Sequence, residues 1–277
     1  ELRHTYKLAD LLAFDGMARS TFYYYLKCMK RPDKYEELKT IITQIFRENK
    51  GRYGYRRITA ELRNQGYRTN HKLVLKLMKQ CGLKCETRRK KYRSYKGEVG
   101  KVAPNLIQRD FKSTTPLKKL VTDVTEFAVG DEKVYLSPIL DLYNGEIIAY
   151  DLSLHPTFSQ TMRMLDAAFL VIPDQTGAIL HSDQGWQYQM KKYQYRLKEK
   201  GIVQSMSRKG NCLDNSVMEN FFGLIKKEMF YGHKFNSSHE LIKKIEEYIY
   251  YYNNKRIKLK LKGLSPVQYR TQSLRIA

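Results

Sequence analysis

Asp123, Asp183 and Glu219 are the residues whose types and settings could do chemistry. Asp123 lies inside the apolar, strand-like run LVTDVTEF, and Asp183 closes another, AILHSDQG. Glu219 lies within DNSVMENFFGLIKKE, a stretch of helical spacing, and 35 residues separate it from Asp183. Carboxylates on two strands and a helix can converge on paired Mg²⁺ ions, since hard divalent cations take oxygen ligands. Two such ions ~4 Å apart activate a nucleophile and stabilise a leaving oxygen in an in-line displacement at phosphorus. Two helical turns after Glu219, Lys226 returns to the same face and can neutralise a phosphate. That chemistry asks little of side-chain acids and bases, so His181 reads as a structural or DNA-contacting residue and not as a general base. Taken singly, each acid also has a plain reading as a turn residue, a cap or a surface charge. Asp141, Asp151 and Asp214 are given those roles.

The elements that must position these acids are legible as periodicity. LVTDVTEFAV, KVYLSPILDLY and EIIAYDLSL are three runs rich in Val, Ile, Leu and Tyr, separated by GDE and NG, which favour hairpins. Ser159–Ile172 presents Met162, Leu165, Ala168 and Phe169 along one helical face. AILHSDQG is a short buried strand, Met190–Lys200 a polar helix and GIVQSMS a further strand. Antiparallel strands followed by strand–helix alternation predict an α/β sheet with helices packed on its faces. Along the first strand, alternation puts Asp123 on one side with Thr125. Asp183 stands at the carboxyl end of its strand, where sites in such sheets open. Residues 239–252 form an amphipathic helix on Leu241, Ile245 and Ile249, and the basic tail NNKRIKLKLKGLSPVQYR ends at a Ser-Pro turn.

The chain's 277 residues carry a formal net charge of +23. Residues 1–100 hold 25 Lys/Arg against 10 Asp/Glu, residues 101–200 hold 12 of each, and residues 201–277 hold 14 against 6. A neutral, carboxylate-bearing centre between two basic ends implies a polyanionic partner, bound through release of condensed counterions. The helical N-terminal third reads as two units. Residues 1–30, with Gly16 between two helices and Arg19 opening the second, suit a helix-turn-helix. Residues 34–84 form a second DNA-binding unit, with Arg56 and Arg57 in GRYGYRR and Lys72 behind the Thr69-Asn70 cap. Residues 85–109 are a basic arm whose Arg88, Arg89, Lys90, Lys91 and Arg93 would follow a phosphate backbone, with Tyr92 and Tyr95 interleaved. A solvated helical bundle and a plain linker remain the alternatives for these segments. Residues 110–277 hold the acids, and Arg256 in the tail is a further DNA candidate. Cys28, Cys81, Cys85 and Cys212 read as reduced cytosolic thiols, since CGLKC falls short of four zinc ligands. No apolar run approaches the ~20 residues of a membrane span, and no secretory signal opens the chain.

TDVTEF, HSDQGWQY and DNSVMENFFGLIKKE resemble the three motif blocks of D-D-E transposases of the IS-three family of bacterial insertion sequences, whose catalytic core is related to retroviral integrases. GRYGYRRI resembles the helical segment before that core, and YNNKRIKLKLKGLSP the family's tail, so the likeness spans nearly the whole chain. It implies a ribonuclease H-like fold over residues 110–275, with Asp123, Asp183 and Glu219 as ligands of two Mg²⁺ ions, Mn²⁺ as a substitute, and Lys226 as the basic residue after the glutamate. It also implies cutting at terminal inverted repeats and joining of the 3′ hydroxyl to another strand. The implied partners are double-stranded DNA, both element ends and target, and at least a second copy of the chain on that DNA. The implied setting is the bacterial cytoplasm, at the nucleoid. Fusion by frameshifting to an upstream helix-turn-helix and leucine-zipper protein is a family trait, and this chain resembles the downstream product. Leu120 and Trp186 depart from the commoner Trp and Ser. A DNA-binding regulator with a dead catalytic fold is a second class of function, separable by cleavage in Mg²⁺. A nuclease on RNA–DNA hybrids is a third, disfavoured by helices suited to reading duplex DNA.

Overall fold

The computed structural model describes residues 5–29, 32–85, 102–208 and 212–276. Arg88, Arg89, Lys90, Lys91 and Arg93 of the basic arm lie outside the described residues. The first helical pair is α1 (Leu8–Asp15) and α2 (Arg19–Met29), and Gly16 closes α1 at φ 66°, a left-handed conformation open to glycine. A tighter unit follows in α3 (Glu36–Glu48), α4 (Tyr55–Asn64) and α5 (His71–Gln80). Ile42, Ile45, Ile58, Leu62, Val74 and Leu77 form its core, none more than 2% exposed. Asn70 caps α5, its side chain accepting from the Lys72 N–H at 2.9 Å.

The sheet opens with β1 (Lys119–Thr122), β2 (Thr125–Val129), β3 (Glu132–Asp141) and β4 (Ile147–Ser153). One continuous first strand was expected, and the run in fact breaks at Asp123–Val124. Both halves pair with β3 in a single register, Thr122 beside Ile139 and Thr125 beside Leu136. The residue opposite Asp123 is therefore Pro138, which has no N–H for the ladder. Its carbonyl accepts instead from the Thr122 hydroxyl at 2.9 Å. β4 pairs along the other edge of β3. From there α6 (Phe158–Phe169) leads to β5 (Ile179–Ser182), parallel to β1, and α7 (Lys191–Lys200) leads to β6 (Val203–Met206), parallel to β5. Strand neighbours face opposite ways. Leu120, Ile139 and Leu180 pack with Met164, Leu165, Tyr193 and Leu197 of α6 and α7. Val121, Leu136 and Leu140 pack on the other face with α8 (Ser216–Ile225) and α9 (Ser238–Asn254).

The tail departs from expectation. The Ser-Pro pair does not end it but starts α10 (Pro266–Ile276). The Ser265 N–H donates to Gln268 Oε1 at 2.9 Å, and the Gln268 N–H returns a bond to Ser265 Oγ at 3.3 Å. That is a capping box with proline at the first helical position, and its signal is present in the letters SPVQ. Arg256, expected on DNA, is 2% exposed and gives two hydrogen bonds, of 2.8 and 2.6 Å, to Glu228. Glu228 lies in the π-helical turn, Lys226–Phe230, that continues α8. The GRYGYRR segment docks on the same place. Arg57 stands 3.7 Å from Glu228, Arg52 lies over the Tyr248 and Tyr251 rings, and the Tyr53 hydroxyl donates to the Lys255 carbonyl at 3.0 Å. The helical unit is thus fastened to the sheet domain by its own basic turn.

Burial pushes the Glu228 carboxyl up, but Arg256 and Arg57 outweigh it and hold it below its ordinary value. Their contribution to stability is present above the ordinary glutamate pKa and is lost as pH falls. Removing one partner of a buried pair leaves the other uncompensated, so Arg256→Ala is expected to destabilise by about 3–5 kcal/mol. Urea unfolding measures this, and an unshifted midpoint would mean that Glu228 finds compensation elsewhere.

Candidate active site

β1 and β5 run side by side with Lys119, Leu120 and Val121 beside Ile179, Leu180 and His181. Each strand ends one residue before an aspartate. The same register, carried past both ends, sets Asp123 beside Asp183, on strands whose axes lie ~4.8 Å apart. Alternation that turns Val121 and Ile179 toward α8 turns both aspartates the same way. α8 buries Met218, Phe221, Phe222 and Ile225 and carries Glu219 in its first turn. Burial raises the Asp123 pKa well above the ordinary carboxylate value, and the charges of Asp183 and Glu219 add to it. The Val124 N–H and the Lys226 ammonium oppose that rise. Burial likewise raises Asp183, against the Gly185 N–H. The structure therefore brings the four predicted residues into one electrostatic neighbourhood, with Lys226 5.4 Å from the Phe127 ring centre.

Local bonds hold each aspartate. The Val124 N–H donates to Asp123 at 2.7 Å and the Asn215 amide at 3.2 Å. Asp183 accepts the Gly185 N–H at 2.9 Å. A Cβ on Gly185 would stand 2.6 Å from Gln187 Nε2 and 2.9 Å from Asp183 Oδ1, so no larger residue fits without moving that carboxylate. His181 is fully buried, and its Nε2 contacts the Asp214 carbonyl at 2.9 Å. A carbonyl only accepts, so Nε2 carries the proton and Nδ1 accepts from Ser205 Oγ at 2.8 Å. Both ring nitrogens are committed, and burial lowers the His181 pKa, which makes it a structural tie.

Two residues at this site, Asp214 and Tyr188, carry roles the sequence does not announce, while Asn215, four residues before Glu219 and so on its helical face, does stand beside the acids. Asp214, read as a bland acid, anchors the entry to α8. Arg208 and Arg109 hold its buried carboxylate below the usual range, through bonds of 2.9 to 3.1 Å. Asn215 follows it and reaches Asp123. Tyr188 is fully buried, and burial together with the charges of Asp123 and Asp183 pushes its phenol up. The only sequence signal of Asp214 and Tyr188 is adjacency to the acidic blocks. Of the predicted DNA contacts, Arg19, Arg56 and Lys72 are exposed and Arg57 is half-buried in the docking contact.

Among the described residues, no group of three or more His, Cys, Asp and Glu side chains is arranged to hold a metal ion. The donor set itself suits a hard divalent cation. It consists of carboxylate oxygens under mutual repulsion, beside the Asn215 Oδ1, a buried oxygen with no hydrogen-bond partner. No helix among the described residues is long and apolar enough to cross a membrane.

Residues 113–212 and 219–274 match family models described as integrase core domain, and residues 33–91 match one described as HTH-like domain. The sequence is 55% identical over 273 residues to the putative transposase InsK for insertion sequence element IS150 of Escherichia coli, covering 99% of this chain and 96% of that one. It is 58% identical over 205 residues to an uncharacterized transposase-like protein of Haemophilus influenzae, covering 74% and 94%. The catalytic core domain of HTLV-2 integrase in complex with magnesium is a structural neighbour with a TM-score of 0.45 and 16% identity, covering 57% of this chain and 98% of that one.

The raised Asp123 pKa has a consequence for stability. A folded-state pKa above the unfolded one means that folding loses stability as pH rises from the ordinary aspartate value through the raised one. Asp123→Asn removes that charge, so it is expected to raise the urea midpoint at pH 7 and flatten its dependence on pH. A lowered midpoint would mean that the carboxylate's bonds to Val124 and Asn215 outweigh its repulsions.

Proposed function

Because this chain belongs to the integrase-core transposases of bacterial insertion sequences, we propose that it cuts DNA at the terminal inverted repeats of its element and joins the freed 3′ hydroxyl to another strand. One observation carries this reading. Two parallel strands end in matching register on Asp123 and Asp183, within the electrostatic reach of Glu219 and Lys226. Asp123, Asp183 and Glu219 would hold two divalent cations, Mg²⁺ or Mn²⁺ in its place. When bound, such ions activate the attacking oxygen and stabilise the leaving one. The remaining work belongs to the chain. Crowded carboxylates gain from any positive charge placed among them, and a divalent cation would relieve the repulsion that raises the Asp123 pKa. Asn215 orients Asp123, the Gly185 N–H orients Asp183, and Lys226 would balance phosphate charge. Tyr188 is buried in the core on the α6 and α7 side, close enough for its phenol to feel the charges of both aspartates.

The basic N-terminal third would supply the grip on duplex DNA. Arg19, Arg56 and Lys72 would contact phosphates from α2, α4 and α5, and the arm residues Arg88, Arg89, Lys90, Lys91 and Arg93 would extend the contact. Holding two element ends together requires at least a homodimer on DNA, and the activity would take place in the bacterial cytoplasm at the nucleoid.

Asp183→Asn should abolish cleavage of an element-end duplex in Mg²⁺ while leaving its binding largely intact, and retained cutting would remove Asp183 from the site. Replacing Arg88, Arg89, Lys90 and Lys91 together with Ala should weaken binding across sequences and reduce the salt slope by roughly one for each phosphate no longer neutralised. An unaltered slope would make the arm a linker.

A further inference from the structure

A cavity of about 210 Å³ is lined by the residues that follow both aspartates in the chain, and neither aspartate lines it. Val124, one residue past Asp123, lines one side of it. Trp186 and Gln187, three and four residues past Asp183, line another, and Pro156, Gln160 and Thr161 close it from the start of α6. Trp186 is the only tryptophan and is 55% exposed, a large apolar area to leave in water. Its ring centre lies 6.5 Å from that of Phe158 at 44°, so the indole is braced yet open. The α6 wall is rigid. Gln160 is 2% exposed and donates to the carbonyls of Tyr135 at 2.8 Å and Asp151 at 3.2 Å. Glu126 also borders the cavity, with its charge met by Lys133 at 3.2 Å.

We propose that this cavity receives one unstacked nucleobase of a strand being cut or joined, stacked on Trp186, so that the adjoining phosphate is presented to Asp123 and Asp183. The inference rests on the transposase reading above and adds a ligand subsite to it. A nucleobase needs a flat apolar face and a hydrogen-bonding rim. Trp186, Val124 and Pro156 provide the first, and Gln187 and Thr161 the second. Aromatic stacking tolerates any base, because every base has a π face. Unstacking a base is least costly where its strand is frayed or already broken, which is the state of DNA at this chemistry. The cavity starts one residue from Asp123 and three from Asp183, so a base seated there keeps its own backbone at the acids.

The test uses the full chain in Mg²⁺ with 5-iodouracil placed at the nucleotide flanking the cut, in the element end in one arm and in the target strand in the other. Near-ultraviolet crosslinking is expected to map to residue 186 in one arm, which identifies the source of the base. Trp186→Ala is expected to lower joining on the order of tenfold, whereas Trp186→Phe keeps most of it. Both variants should retain the wild-type urea midpoint, since the side chain is largely exposed. No crosslink to Trp186 in either arm, or joining by Trp186→Ala at the wild-type rate, overturns the subsite while wild-type cleavage upholds the transposase reading. A wild-type chain that neither cuts nor joins removes that reading and the subsite with it.

Discussion

Asp123 and Asp183 repel each other in a place where burial already disfavours their charges. A fold keeps such a pair only if its backbone leaves the carboxylates no route apart and its neighbours offset part of the repulsion. Parallel pairing of β1 with β5 does the first, because a one-residue slip of strands in this register would turn every apolar residue to the wrong face. The Val124 and Gly185 amides, Asn215 and Lys226 do the second. The remaining excess of negative charge would draw positive charge to the proposed site, so local instability and proposed activity would share one cause.

The rest of the sheet domain keeps that end of the sheet in place. Pro138 withholds a donor opposite Asp123, so the ladder lapses there and resumes at Thr125 in the same register. The entry to α8 is held from two directions. His181 binds the Asp214 carbonyl from β5, while Arg208 and Arg109 bind its carboxylate. These bonds set the first turn of α8, and with it Asn215 and Glu219, over the aspartates.

Charge counted along the chain overstates the positive surface that remains for a polyanion. Arg256 is paired with Glu228, Arg270 with Glu146 at 2.7 Å, and Lys258 donates to the Gly145 carbonyl at 3.1 Å and the Tyr252 hydroxyl at 2.8 Å. Burial and the neighbouring Arg256 push the Lys258 amine down to about 7, so this lysine is no full charge at neutral pH. In the tail, basic residues fasten the helical unit and α10 to the sheet. The exposed Arg19, Arg56 and Lys72 belong to the N-terminal helices, where the largest sequence excess of positive charge also lies.

Local periodicity and spacing sufficed for the α/β class, the helical N-terminal third and the strand or helix that carries each of Asp123, Asp183 and Glu219, since these depend on residues within a turn or a strand of one another. The break at Asp123 was not legible, because its cause, Pro138, acts from a different strand. The inward turn of Arg256 was not legible either, because an arginine seeking Glu228 and one seeking phosphate look alike along a sequence. The capping box at Ser265 is legible in SPVQ, where Ser-Pro by itself reads equally as a turn. What only tertiary structure decided was the meeting of groups distant in sequence: the parallel register that sets Asp123 beside Asp183, the reach of Asn215 to Asp123, and the cavity beside Trp186. Hydrogen-bond register and close packing set those distances, and neither is a property of any single segment.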